Sequence, residues 1–292
     1  MKNNVAFWTD IPPISSDLHV NYWVIKQRLL LRNHFLDFGL KLNGCKGGKV
    51  HFFIPIKKID ECIFDVGAEL TERKLANALF NENCEIISKT EKRIEIKLPE
   101  EQLTVFVIDI KNDIKTQSLY DGTLFSINLP SETKNWYIRF RIKIGFKQAL
   151  KNLLLSREWQ TIRSVFSKKD TPNGSFYQSV RNSVEAIDFR VNNKRSLNFS
   201  LLDENQDKFL KFRKLHFLLI SESDEGLNFS STKPKKIHLL ENEVWQKYLK
   251  GASKKYKNYC AYQWSCSPKL GDGWVIFLKL QFGSANMLTI CS

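Results

Sequence analysis

Two tripeptides of the same form, Glu95-Ile96-Lys97 and Asp109-Ile110-Lys111, carry groups that could do chemistry. In each, an acid and a lysine are two residues apart, so on a strand both side chains share one face. Carboxylates on neighbouring strands can hold a divalent metal, and an adjacent lysine can polarise the attacking water. If 93–98 and 103–111 form a hairpin, Glu95 can face Asp109 and Lys111. A second row is basic and aromatic. Tyr137, Arg139, Arg141 and Lys143 alternate with Trp136, Ile138, Phe140, Ile142 and Ile144, and a period of two puts each set on its own face. The basic run continues through Lys147 and Lys151, and Glu158 is the only acid between 137 and 169. Such a surface can contact phosphates and stack a base on the tyrosine.

The first constellation matches the design of metal-dependent nucleases of the PD-(D/E)xK type, which would use Glu95, Asp109, Lys111 and Mg²⁺. Against it, acid-x-Lys is short and common in a lysine-rich chain, the linking loop is brief, and no helix pattern follows Lys111. Alternating charges on an exposed strand explain both tripeptides without chemistry. The basic row also has a plain reading, since lysine and arginine keep sheet edges from pairing.

Other motifs carry less. The stretch from Gly44 to Val50 lacks the spacing, hydroxyl and following helix of a phosphate loop and reads as a turn. The dinucleotide, hydrolase-elbow, zincin and EF-hand patterns are absent. His216 has no nucleophile beside it in sequence. Six cysteines form no C-x-x-C pair, so the expectation is buried free thiols in a reducing cytosol, with no resident metal or cofactor. A second lysine cluster spans 233–257 and includes Lys233, Lys235 and Lys236.

The elements that must position these groups follow from periodicity. Alternation predicts strands over 35–42 and 50–56, joined as a hairpin by the glycine-rich turn. Further strands are expected at 94–98, 105–110, 124–129 and 136–144. A helix is expected over 70–81, with Thr71 as its cap. Residues 20–32 fit strand or helix. After 146 the apolar spacing becomes helical, over 146–166 and again through Val180, Val184, Ile187 and Val191. Residues 167–175 read as a linker. Strands are then expected at 215–221, 235–240, 256–264 and 274–282, with a short helix over 242–250.

The chain therefore reads as α+β: a β-rich half, 1–145, with mostly antiparallel strands, and a mixed α/β basic half, 146–292. Its 292 residues, 42% hydrophobic and rich in phenylalanine, can bury a sizeable core. No apolar run is long enough for a membrane span, and the N-terminus lacks a signal-peptide pattern. The net charge is +14, about +4 before residue 150 and +10 after it. An excess of that size favours an anionic partner, or reflects a lysine-rich composition. The leading reading is a cytoplasmic, non-catalytic recognition or adaptor subunit that binds nucleic acid or a protein partner, with no membrane partner. The alternatives are the nuclease and a structural subunit of a larger complex.

Overall fold

The computed structural model describes residues 4–26, 32–119, 122–145, 177–178, 184–197, 199–205, 207–249, 258–268 and 273–281. In chain order its strands are β1 (Asn4–Thr9), β2 (Ser15–Lys26), β3 (Arg32–Asn43), β4 (Gly48–Ile54), β5 (Ile63–Asp65), β6 (Glu85–Lys89), β7 (Arg93–Lys97), β8 (Gln102–Phe106) and β9 (Ile114–Leu119). They continue as β10 (Gly122–Leu129), β11 (Trp136–Gly145), β12 (Tyr177–Gln178), β13 (Val184–Val191), β14 (Phe212–Glu222), β15 (Gly226–Ser230), β16 (Lys236–Leu239), β17 (Tyr259–Cys266) and β18 (Trp274–Gln281). The α-helices among the described residues are α1 (Arg73–Phe80), α2 (Phe199–Asn205) and α3 (Asn242–Leu249). None is long and apolar enough to cross a membrane.

The strands form two large mixed sheets. The first has the order β15-β18-β13-β1-β4-β10-β9, with β12 also on β13. The second has the order β16-β17-β14-β2-β3-β11-β8-β7-β6, with β5 also on β11. Most pairs are antiparallel, but β1 with β13, β2 with β14 and β8 with β11 are parallel. The protein is thus mostly β. This corrects the α+β expectation and its mixed α/β second half. Each sheet holds one block of strands from before residue 145 and one from after it, and the blocks meet at the parallel pairs β1–β13 and β2–β14. The proposed linker 167–175 and the helices at 146–166 lie outside the described residues.

Inner faces of the two sheets pack on each other through aromatic rings. Phe7 of β1 meets Phe38 of β3 edge-on with centroids 5.5 Å apart, and Phe52 of β4 meets Phe140 of β11 at 5.1 Å. Phe189 of β13 reaches Phe217 of β14 at 5.2 Å. Interleaved rings of this kind set the sheet spacing and supply much of the buried apolar area. The outer face of the second sheet is covered by α1 and α3, which bury Leu75, Ala76, Val244, Trp245 and Tyr248 against it. Leu201 of α2 and Phe209 cover Trp8 and Phe53 on the outside of the first sheet.

Two local expectations fail for the same reason. The pair 35–42 and 50–56 is not a hairpin: β3 pairs with β2 and β11, while β4 pairs with β1 and β10. The turn between them is an arch from one sheet to the other, built on left-handed Gly44, Gly47 and Gly48. Both strands point apolar residues into one core, and alternation does not say whether they pair edge to edge or face to face. The helix expected through Val184, Ile187 and Val191 is strand β13. Ile187 and Val191 are four residues apart, which is about one helical turn and also two strand repeats. Helix α1 forms as expected, but Glu72 occupies its N-cap, and the Thr71 hydroxyl donates to the Ala68 carbonyl instead.

Phe140→Ala should lower stability by about 3–5 kcal/mol, since the ring meets neighbours from both sheets and the cavity left cannot collapse. Urea titration followed by tryptophan fluorescence and by far-UV circular dichroism should give one coincident transition. Separate transitions would contradict a single core shared by the two sheets.

Candidate functional site

The alternation on β11 holds. Trp136, Ile138, Phe140 and Ile142 face the inter-sheet core. The opposite face, however, lies under α3 and not under water. Tyr137 and Arg139 are fully buried, and Arg141 is 6% exposed. These three residues are therefore not on a basic binding surface, which corrects the expectation. Lys143 is exposed, and Lys147 and Lys151 lie outside the described residues.

Asp37 on β3 stands directly opposite Arg141 in the ladder. Arg141 grips it with two bonds, Nε to Oδ1 at 2.6 Å and Nη2 to Oδ2 at 2.9 Å. The Trp23 indole and the Tyr248 hydroxyl also donate to Oδ2, at 2.9 and 2.8 Å. Arg139 donates through Nε to the Tyr248 hydroxyl at 2.9 Å and through Nη1 to the Tyr137 hydroxyl at 3.1 Å. The Arg141 guanidinium also lies over the Tyr248 ring, 4.5 Å from its centroid. Burial alone would push the Asp37 carboxyl up, but Arg141 and then Arg139 outweigh it and hold the carboxyl below its ordinary range. Gly39 faces Arg139 across the ladder, and a Cβ there would collide with the Tyr137 hydroxyl. The cluster is fully engaged with itself and offers no face to a partner.

The acid-x-Lys residues are not brought together. Glu95 stands opposite Thr104, while Val107 is already opposite Lys92. Asp109 follows the end of β8, five residues beyond Thr104, which corresponds to about 16 Å of strand. There Asp109 caps its own turn. It accepts from the Lys111 amide at 3.1 Å and from the Asn112 side chain at 2.6 Å. The Asn112 bond chiefly holds its carboxyl below the ordinary value. Glu95 accepts from Gln102 at 3.4 Å. Among the described residues no group of three or more His, Cys, Asp or Glu is placed to hold a metal ion.

A site that sequence reasoning missed lies at one end of the sandwich. A cavity of about 690 Å³ opens among the β1–β2 loop, the end of β13, residues 207–213 and the start of β18. Lys194, Lys208, Lys211 and Arg213 line it, with Asp207 as the opposing acid and Phe209 and Trp274 as the aromatic wall. Asn192 builds the floor. It adopts the left-handed conformation, φ 48°, which asparagine tolerates better than most residues. Its Oδ1 accepts from the Phe7 amide at 2.8 Å, and its Nδ2 donates to the Leu210 carbonyl at 2.9 Å. This staples residues 207–211 to β1. Trp274 is half-buried and rests on Phe217, with ring centroids 5.5 Å apart.

Arg213 clamps Asp17 with bonds of 3.1 and 2.6 Å. Burial raises the Asp17 carboxyl, yet Arg213 outweighs that and holds it below the ordinary value. The surplus charge of the cavity therefore rests on Lys194, Lys208 and Lys211. Its lining residues include no histidine, cysteine or glutamate. The arrangement suits a flat group against the tryptophan with anionic groups at the lysines. Its short-range sign is only partial: Lys208, Lys211 and Arg213 share one stretch, but Lys194 and Trp274 join them only in the fold. A scan against protein-family models and a search of curated proteins both return no match.

Two measurements test this description. Asp37→Ala strands two buried guanidinium groups and should cost about 3–5 kcal/mol in urea unfolding. A loss near zero would show that water reaches the cluster. The second test concerns His19 on β2. Its ring stands 5.2 Å from that of His216, and its Nδ1 is 3.4 Å from the Tyr137 hydroxyl. Burial first, then His216 and Arg139, lower its pKa to about 3, with Asp17 opposing. The unfolded chain takes up this proton near pH 6.5 and the folded chain does not. Stability present above pH 6.5 should thus drain away as the pH falls toward 3. The melting temperature of His19→Asn should fall less between pH 7 and 5 than that of the wild type. Parallel curves would refute the assignment.

Proposed function

We propose that the protein is a non-catalytic recognition subunit that binds nucleic acid through the cavity at the end of the sandwich. The observation that carries this reading is the convergence of Lys194, Lys208 and Lys211 around half-buried Trp274. All four belong to the half of the chain that holds the +10 excess. Lysines neutralise phosphates without reading sequence, and an indole stacks on any base. Together they fit an unpaired strand, whose bases are free to stack. The working place is the cytoplasm, where the buried thiols of Cys45, Cys62 and Cys84 stay reduced. The role assigned is binding.

The test is fluorescence anisotropy with labelled single-stranded DNA and RNA oligonucleotides at several salt concentrations. Three phosphate contacts predict a slope of log K against log salt of about −2 for single strands. Lys208→Glu combined with Lys211→Glu should weaken binding by roughly tenfold or more while leaving the melting temperature nearly unchanged, because both sites are exposed. Absence of binding at low salt, or an affinity indifferent to the double substitution, would overturn the reading.

A further inference from the structure

Strand β14 begins at the cavity and leads away from it. Lys211, Phe212 and Arg213 line the cavity wall. The ladder to β2 then shifts register between Phe212 and Lys214. The bulge leaves Arg213 and Lys214 both exposed, where strict alternation would bury one of them. Asp17 fixes this bulge, since it accepts the two Arg213 bonds and also the Lys214 amide at 3.1 Å. Two residues further, His216 is half-buried. It lies on the outer face of the second sheet, because Leu215 and Phe217 on either side of it point into the inter-sheet core.

Cationic and hydrogen-bonding groups gather around His216. Ser265 of β17 stands directly opposite it in the ladder, and His19 of β2 lies beside it with ring centroids 5.2 Å apart. Lys235 is fixed next to β17 by its amide, which donates to the Gln263 carbonyl at 2.7 Å. Burial chiefly lowers the His216 pKa, Asp17 opposes, and Lys214 and Lys235 add to the lowering, so both ammonium groups reach the ring electrostatically. Neither lysine has a hydrogen bond or ion-pair partner among the described residues. Asp17 is already answered by Arg213, and Glu101 by Lys41. We infer that Lys214, Lys235, His216 and Ser265 form a second phosphate-binding site, which holds the backbone of a single strand whose base stacks in the cavity. This rests on the cavity reading and extends it, with the strand passing over the bulge from Lys211 to Lys214. Continuity argues for one ligand across both places. One stretch of β14 lines the cavity and then the patch, and Pro268, three residues beyond Ser265, lines the cavity from the β17 side. Two unpaired ammonium groups, a hydroxyl and an imidazole suit phosphate oxygens, which position a strand without reading its bases.

The experiment is fluorescence anisotropy on the full chain, at several salt concentrations, with labelled single strands of about three and about twelve nucleotides. The short strand fills the cavity alone, and the long one reaches the patch. The wild type should bind the long strand about tenfold or more tightly than the short one. Its slope of log K against log salt should be steeper by about 1.4, for two added phosphate contacts. Lys214→Gln combined with Lys235→Gln should remove both differences and leave short-strand affinity unchanged. The melting temperature should hold, because both side chains are exposed. Equal wild-type affinity for the two lengths, or a long-strand affinity indifferent to the double substitution, would overturn the inference and leave the cavity reading standing. An equal loss at both lengths would show that the lysines act only through the general field, which also overturns it. Displacement of the long strand by a polyglutamate peptide as effectively as by unlabelled oligonucleotide would assign the patch to an acidic protein instead. Long-strand binding that needs Lys214 and Lys235 but ignores Lys208→Glu with Lys211→Glu would uphold the patch and sink the cavity reading, so the two failures are separable.

Discussion

A single carboxylate holds the outer layer of this protein in place. Asp37 sits in the middle of the second sheet, fully buried, and accepts from Arg141, Trp23 and Tyr248 at once. Two guanidinium groups on one strand could not stay buried without it, because an unpaired charge in that environment costs several kcal/mol. Nor could they stay buried without α3, whose Tyr248 gives a hydroxyl to the carboxylate, takes a bond from Arg139 and lays its ring against Arg141. The helix is thus keyed to one position on the sheet. Hydrophobic contact between Trp23 and Trp245 adds attraction there, but apolar contact alone would tolerate sliding. The directional bonds to Asp37 do not.

The same cluster joins parts of the chain that are far apart in sequence, from β3 through β11 to α3. This agrees with the wider topology. The first two strands each find a parallel neighbour in the second half, β1 beside β13 and β2 beside β14. Neither sheet can close until most of the chain has been made. Long loops must be closed before these contacts form, so the topology belongs with slow-folding β architectures. The reward is that both sheets share one aromatic core, in which Phe38 touches Phe7, Phe140 and Phe189 from three other strands.

Much of the strand layout was legible. The alternation over 136–144 sorts inward from outward side chains correctly, and so do the patterns that give β3, β4 and β18. What alternation cannot convey is the environment of the second face. Tyr137, Arg139 and Arg141 look like a solvated basic row because the residues that cover and neutralise them, Tyr248 and Asp37, lie about a hundred positions away. Pairing partners were hidden for a related reason. An arch between sheets and a hairpin within one leave the same pattern on the two strands they join. The acid-x-Lys pairs illustrate the converse failure: β7 and β8 pair, but Asp109 lies in the turn beyond the end of β8, away from Glu95. The cavity left only the basic stretch 208–213 in the sequence, and Lys194 and Trp274 reach it only through the fold.

These placements change what the net charge of +14 means. Part of the basic excess is consumed by the fold: Arg139 and Arg141 are spent on Asp37, and Arg213 is largely answered by Asp17. Arginine serves in these roles because its planar fork can satisfy a carboxylate from two directions and stack on an aromatic ring. The cations left for the outside at the cavity and at the β16 edge are lysines, whose flexible stems keep the charge hydrated and adaptable. The protein thus divides its basic residues by chemistry, with arginine where a buried acid must be held in one geometry and lysine on the exposed surfaces. The charge that remains free to act on the surroundings is therefore that of the second group, and it is most concentrated against an aromatic surface where Lys194, Lys208 and Lys211 approach Trp274.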